Sequence, residues 1–134
     1  MAVIDASVYV TLLDANDPEQ ANCLAWFTAA ATTDETIVAP SLILSEVAAA
    51  ISRGRGDAEL AKAVVRTLEE SAVISLVAVT PQLAKRAAVI AADQRVRGAD
   101  AIYLALAQQL GDVLVTLDRQ QLQRGAAVVK TQHP

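Results

Sequence analysis

Residues 2–14 read Ala-Val-Ile-Asp-Ala-Ser-Val-Tyr-Val-Thr-Leu-Leu-Asp. The stretch opens with an apolar, non-alternating run that ends at Asp5, and from Ser7 to Asp14 the spacing turns helical. A strand that is apolar on both faces belongs in a sheet covered on both sides, the habit of parallel sheets. The same strand-then-helix unit recurs along the chain. Thr36–Ala39 (TIVA) is stopped by Pro40 and followed by a helix over Ser41–Arg53, which Gly54-Arg55-Gly56 breaks. Ile74–Val79 (ISLVAV) precedes a helix that starts at Thr80-Pro81 and runs to Arg95. Val113–Thr116 (VLVT) precedes a short helix after Asp118, and Ala127–Val129 reads as a fifth strand. Three more helices fill the intervals: Asp17-Pro18 to Ala31, Asp57 to Ser71, and Asp100 to Leu110 closed by Gly111. The expected fold is α/β, a single three-layer α/β/α sandwich over residues 1–134 with a five-stranded, mainly parallel sheet. In a doubly wound sheet the strand order reverses beside the first strand, and the ligand crevice lies at the carboxyl ends of the strands there.

Composition narrows the function classes. The chain has 134 residues, 54% of them hydrophobic and 19% charged, a balance that supplies a large core and excludes disorder. No apolar run approaches the roughly 18 residues of a membrane span. Met1–Val10 lacks a basic start and carries Asp5 inside its apolar stretch, so it does not read as a signal peptide. Cys23 is the only cysteine and His133 the only histidine, which excludes an intrachain disulfide and a structural zinc site. A cytoplasmic location follows as the expectation. The net charge of −4 lacks the basic footprint of a general nucleic-acid binder, and 3% aromatic residues make a base-stacking platform unfavourable. Any metal here is held by oxygen.

The acids are placed unevenly on this layout. Asp5 ends the first strand, and Asp118 lies two residues past Thr116, at the end of the strand expected beside it across the switch. Glu46 shares a helical stripe with Leu42, Ile43, Ala49 and Ala50, and Asp100 stacks with Tyr103, Leu104 and Ala107. A carboxylate on an apolar stripe is costly unless it is paired or binds a cation. Each acid also has a purely structural reading: Asp5, Asp100 and Asp118 as helix N-caps, Glu46 as a side chain that reaches out to solvent or pairs with Arg53 or Arg97. Their convergence, with no Lys or Arg expected beside them in the same elements, favours a site. Arg97, Arg119, Arg53 and Arg55 are the basic residues near this edge. Ordinary solvated charge is the plainer reading of these four.

The segments VIDAS (3–7), PSLILSEVAAAI (40–51), RGADAIYLALA (97–107) and VLVTLD (113–118) resemble, in order, the signature segments of PIN domains. The likeness is nearest to the VapC-type toxins of prokaryotic toxin–antitoxin pairs and spans Ala2 to about Gly125. It implies a catalytic and metal-binding quartet of Asp5, Glu46, Asp100 and Asp118, an assisting hydroxyl on Thr116 and a supporting one on Ser7. Many of these toxins carry Leu-Pro before the third acid, where this chain has Gly98-Ala99. The resemblance further implies an endoribonuclease dependent on Mg²⁺ or Mn²⁺, cleaving single-stranded or structured RNA to 5′-phosphate and 3′-hydroxyl ends. Hard oxygen ligands agree with those ions, and two of them about 3.5–4 Å apart suit phosphodiester displacement. Implied partners are RNA, a cognate antitoxin and a second copy of the chain, with Ile51, Leu60 and Val64 as interface candidates.

Rival classes fit less well. A phosphoacceptor receiver domain needs an acidic pair after the first strand and an acid ending the third; the chain has Ala6-Ser7 and Val79-Thr80-Pro81 there. A haloacid-dehalogenase-like phosphatase needs Asp-x-Asp, which Asp5-Ala6-Ser7 fails. A non-catalytic PIN-like module that binds RNA or protein is the remaining alternative.

Overall fold

The computed structural model describes all 134 residues. Its five strands are β1 (Ala2–Ile4), β2 (Ile37–Pro40), β3 (Ile74–Val77), β4 (Val113–Val115) and β5 (Thr131–Gln132). They form one sheet in the order β3-β2-β1-β4-β5, and every pairing is parallel. The chain thus builds outward from β1 through β2 to β3, then returns to the other side of β1 for β4 and β5. The reversal lies between β1 and β4, in register Ile4↔Val115, so Asp5 and Thr116 leave the sheet side by side.

The helices are α1 (Ala6–Leu12), α2 (Gln20–Thr32), α3 (Ile43–Arg55), α4 (Ala58–Glu69), α5 (Pro81–Gln94), α6 (Gly98–Leu110) and α7 (Arg119–Arg124). Helix α6 packs on β1, β2 and β4 with α5 against it, while α1 packs on α2 and α3, and α3 on α4. From Tyr103 to Ala107 every residue of α6 is buried, its alanines letting the backbone lie close to the sheet. Leu104, Leu106, Ile4 and Leu114 are fully buried in the one core, and removing such a side chain to alanine costs about 2–5 kcal/mol. No helix is long and apolar enough to cross a membrane.

Several expectations are corrected. The apolar run Ala127–Val129 is not the fifth strand. A 3-10 turn, Gly125–Ala127, takes its start, and Gly125 lies so close to Leu104 that a Cβ there would sit 2.6 Å from Leu104 Cδ2. Strand pairing with β4 is delayed to Thr131 and Gln132. β3 stops at Val77 rather than Val79, and α2 starts at Gln20, with Asp17 instead closing a local turn onto the Glu19 N–H. Helix α3 runs through Gly54 and ends at Gly56, whose left-handed φ of 63° suits glycine. Helix α6 begins at Gly98, so Asp100 stands in its first turn and is not its cap. Ile51 is 5% exposed and belongs to the core, which removes it as an interface residue; Leu60 and Val64 are half-buried against that core.

Candidate active site

The site is assembled at the carboxyl ends of β1 and β4. Asp5 follows β1 directly and caps α1, its Oδ1 accepting from the Ser7 N–H (3.1 Å), the Ser7 hydroxyl (2.5 Å) and the Val8 N–H (3.4 Å). Its Oδ2 accepts from the Thr116 hydroxyl (2.7 Å) and from Gln121 Nε2 (2.7 Å). The capping reading and the site reading of Asp5 therefore both hold: one oxygen finishes the helix and the other faces β4 and α7. Burial pushes the Asp5 carboxyl above its ordinary range against the bonds from Ser7, Thr116 and Val8, and the nearby charge of Asp100 pushes the same way as burial.

Thr116 and Ser7 tie the two strand ends together. The Thr116 hydroxyl donates to Asp5 and accepts from the Asp118 N–H at 3.0 Å. The Ser7 hydroxyl accepts from the Leu117 N–H at 3.1 Å while donating to Asp5. Asp118 caps α7 through Oδ1 on the Gln121 N–H (2.9 Å), so it too serves two purposes.

Asp100, 6% exposed, accepts from Gln121 Nε2 at 3.2 Å and from Arg97 Nε at 2.8 Å. The same guanidinium donates from Nη2 to Asp118 Oδ2 at 3.1 Å, so Arg97 bridges two of the acids from the rim of the site. This corrects the expectation of acids without a basic partner. The Arg97 pKa rises further above its ordinary value through its bond to Asp100. Arg97, Arg119, Asp118 and Gln120 line a polar hollow of about 250 Å³. Arg53 bonds the Ala49 carbonyl, and Arg55 reaches the Leu13 carbonyl and Asp14, so neither joins this network.

Glu46, half-buried in the first turn of α3, stands apart from the hydrogen-bonded chain and pairs with neither Arg53 nor Arg97. Its Oε2 accepts from the Tyr103 hydroxyl at 2.7 Å. Tyr103 is fully buried, and burial together with the bond to Glu46 pushes its pKa up. The structure thus joins Asp5, Asp100, Asp118, Thr116 and Ser7 in one network and places Glu46 on a separate tether. No three acids close into a metal cage.

Asp100 and Asp118 share one guanidinium, on a side chain 70% exposed, and Asp5 and Glu46 have only neutral donors, which leaves the acids short of positive charge. The donors are all hard oxygens, and Arg97 stands where a cation between Asp100 and Asp118 would be welcome. Such a donor set suits a hard divalent cation. Two participants escape a sequence reading centred on acids: Gln121, 1% exposed, and Tyr103. For Gln121 the signal is its position three residues after Asp118, the spacing of a capping box. For Tyr103 it is the shared stripe with Asp100.

The chain is similar over its whole length to the solved structure of VapC20 from Mycobacterium tuberculosis, described as a sarcin–ricin loop cleaving toxin. The identity is 20%, coverage is 100% of both chains and the TM-score is 0.80. It is also similar to a chain of the DNA-bound VapBC of Salmonella typhimurium, with 14% identity, 98% and 96% coverage and a TM-score of 0.71. A toxin–antitoxin complex from Klebsiella pneumoniae gives 15% identity, 98% and 96% coverage and a TM-score of 0.67. No curated protein matches the chain in sequence. The family model described as the PIN domain matches residues 2–127, nearly the whole chain, and takes in every acid of the cluster. The chain belongs to the PIN domain family.

Proposed function

We propose that this PIN domain is an endoribonuclease dependent on Mg²⁺ or Mn²⁺ and the toxin of a VapBC-type pair. The observation that carries the reading is the hydrogen-bonded run Thr116–Asp5–Gln121–Asp100–Arg97–Asp118 at the switch between β1 and β4, acidic and short of cations. Divalent ions supply activation of a water and neutralisation of the leaving oxygen of a phosphodiester when bound. The chain's own contribution is placement. Asp5 presents Oδ2 in an orientation set by the Thr116 hydroxyl, with Ser7 holding Oδ1. Asp100 and Asp118 supply the neighbouring carboxylates as cation ligands, and Glu46 supplies a fourth, aimed by Tyr103. Arg97, exposed though paired to Asp100 and Asp118, would exchange those acids for a substrate phosphate, and Arg119 lines the same hollow.

An antitoxin is the partner this reading requires, and it is supported by the similarity to chains of toxin–antitoxin complexes. We assign it the apolar groove of about 520 Å³ between α1, α2 and the α4–β3 connection, lined by Tyr9, Leu12, Leu13, Leu24, Phe27 and Val73. A homodimer and a cytoplasmic location belong to the same proposal. Leu60 and Val64 are the interface candidates, in a hollow that shares Tyr9 and Leu13 with the groove. The test is incubation of purified protein with single-stranded RNA in millimolar Mg²⁺ or Mn²⁺. Slow endonucleolytic cleavage that EDTA abolishes is expected, and cleavage undiminished in EDTA refutes the metal-dependent reading. RNA bound but never cut would favour the non-catalytic alternative.

A further inference from the structure

Gln121 touches three of the four acids. Its Nε2 lies 2.7 Å from Asp5 Oδ2 and 3.2 Å from Asp100 Oδ1, and its backbone N–H donates to Asp118 Oδ1 at 2.9 Å. Ionised carboxylates only accept, so the amide must turn both of its N–H donors toward them. The consequence is visible: Gln121 Oε1 is buried with no partner. An unpaired buried acceptor is unfavourable, and where one persists it needs a reason.

The sequence shows how the side chain comes to be there. Asp118 and Gln121 are the N-cap and third residue of α7, the two ends of a capping box. In a complete box the Gln side chain returns to the N–H of the capping residue. Here the Thr116 hydroxyl takes the Asp118 N–H at 3.0 Å, and the Gln121 amide is released to the acids. Thr116 therefore acts on the site twice, by holding Asp5 and by freeing Gln121.

We propose that Gln121 is a positioning residue of the nuclease site: its amide clamps Asp5 and Asp100 as a pair for a divalent cation, and its neutrality limits how tightly that cation is held. The inference rests on the metal-dependent reading above and gives a role to Gln121, which that reading takes only as a link between Asp5 and Asp100. Gln121→Met removes both donors at similar length, and Gln121→Glu keeps the length and adds a carboxylate.

The experiment is calorimetric titration of MnCl₂ into the metal-free wild type and both variants, with thermal melts alongside. Losing an outer-sphere partner of a ligand typically costs 10–100-fold in metal affinity, so Gln121→Met should weaken Mn²⁺ binding by about that factor. Affinity for hard cations rises with ligand charge, so Gln121→Glu should tighten Mn²⁺ binding by about tenfold and melt lower without metal. The opposite signs are what a merely structural role cannot produce. If Gln121→Met does not melt cooperatively, the sign of the Gln121→Glu shift decides alone. Wild-type Mn²⁺ affinity in both folded variants, or weakening in both, overturns the inference and leaves the nuclease reading standing. No Mn²⁺ binding by the wild type overturns the nuclease reading and the inference with it.

Discussion

The acidic cluster at the ends of β1 and β4 and the apolar groove along α1 and α2 are two unlike ways of leaving a surface unfinished. In the cluster, two carboxylates share one guanidinium, the other two have only neutral donors, and the excess is charge. In the groove, Leu13 (42% exposed), Leu24 (51%) and Val73 (37%) stand in water, and the excess is apolar area. A cation completes the first and a hydrophobic segment the second. Tyr9 lines the groove from α1, the helix whose N-terminus Asp5 caps, so one short helix serves both regions. The two surfaces are chemically separable even so, and substitutions should show it.

The largest effect is expected in the cluster. Asp100→Asn and Glu46→Gln should each lower RNA cleavage by more than the roughly 100-fold that loss of an outer-sphere partner costs, while a pull-down with the antitoxin is unaffected. A variant that loses binding and cleavage together would break the separation. Next comes the groove. Leu24→Asp puts a charge where an apolar partner is expected and should weaken antitoxin binding by about 30-fold, the scale of a 2 kcal/mol interface residue. Its RNA cleavage should remain at the wild-type rate, and retained antitoxin affinity would withdraw the groove as the docking surface.

Arg97→Ala should have a smaller and two-signed effect. Exposed ion pairs contribute roughly 0–1 kcal/mol, so stability changes little and Mn²⁺ binding tightens by up to about fivefold. Cleavage nevertheless falls if the guanidinium serves the phosphate. Faster cleavage with tighter metal binding would make Arg97 only a competitor of the cation.

The smallest effect is in pH dependence. The folded-state pKa of Asp5 is raised, so its contribution to stability is fully present below about pH 4 and is lost as pH rises through the raised value. Urea melts of the metal-free wild type across this window should show that loss relative to Asp5→Asn, which has no such group. Parallel profiles would argue against the buried, unfavourably charged Asp5.

Much of the frame was readable because parallel strands leave a plain mark: Ala2–Ile4, Ile37–Ala39 and Val113–Val115 are apolar without alternation. The quartet was readable for the opposite reason, since Glu46 and Asp100 interrupt apolar stripes. What stayed hidden was whatever looks like its surroundings. Leu13 and Leu24 are apolar like the core residues near them in the chain, and composition alone does not separate a face that meets the core from one that meets a partner. Gln121 carries no charge to draw attention, and its role depends on Thr116 taking the Asp118 N–H, a tertiary event. Ala127–Val129 has the composition of a strand, yet the chain makes a 3-10 turn over Gly125–Ala127 and pairs with β4 only at Thr131 and Gln132, a choice composition does not record.

Asp5→Asn gives the most direct test, because Asn caps a helix about as well as Asp and removes one charge from the cluster. Wild type and variant are melted with and without Mn²⁺ and assayed on RNA under the same conditions. The metal-site account predicts a metal-free variant at least as stable as wild type, a smaller Mn²⁺-induced rise in melting temperature, and loss of cleavage. A variant that cuts RNA at the wild-type rate with an undiminished Mn²⁺ response would contradict it and leave Asp5 as a helix cap.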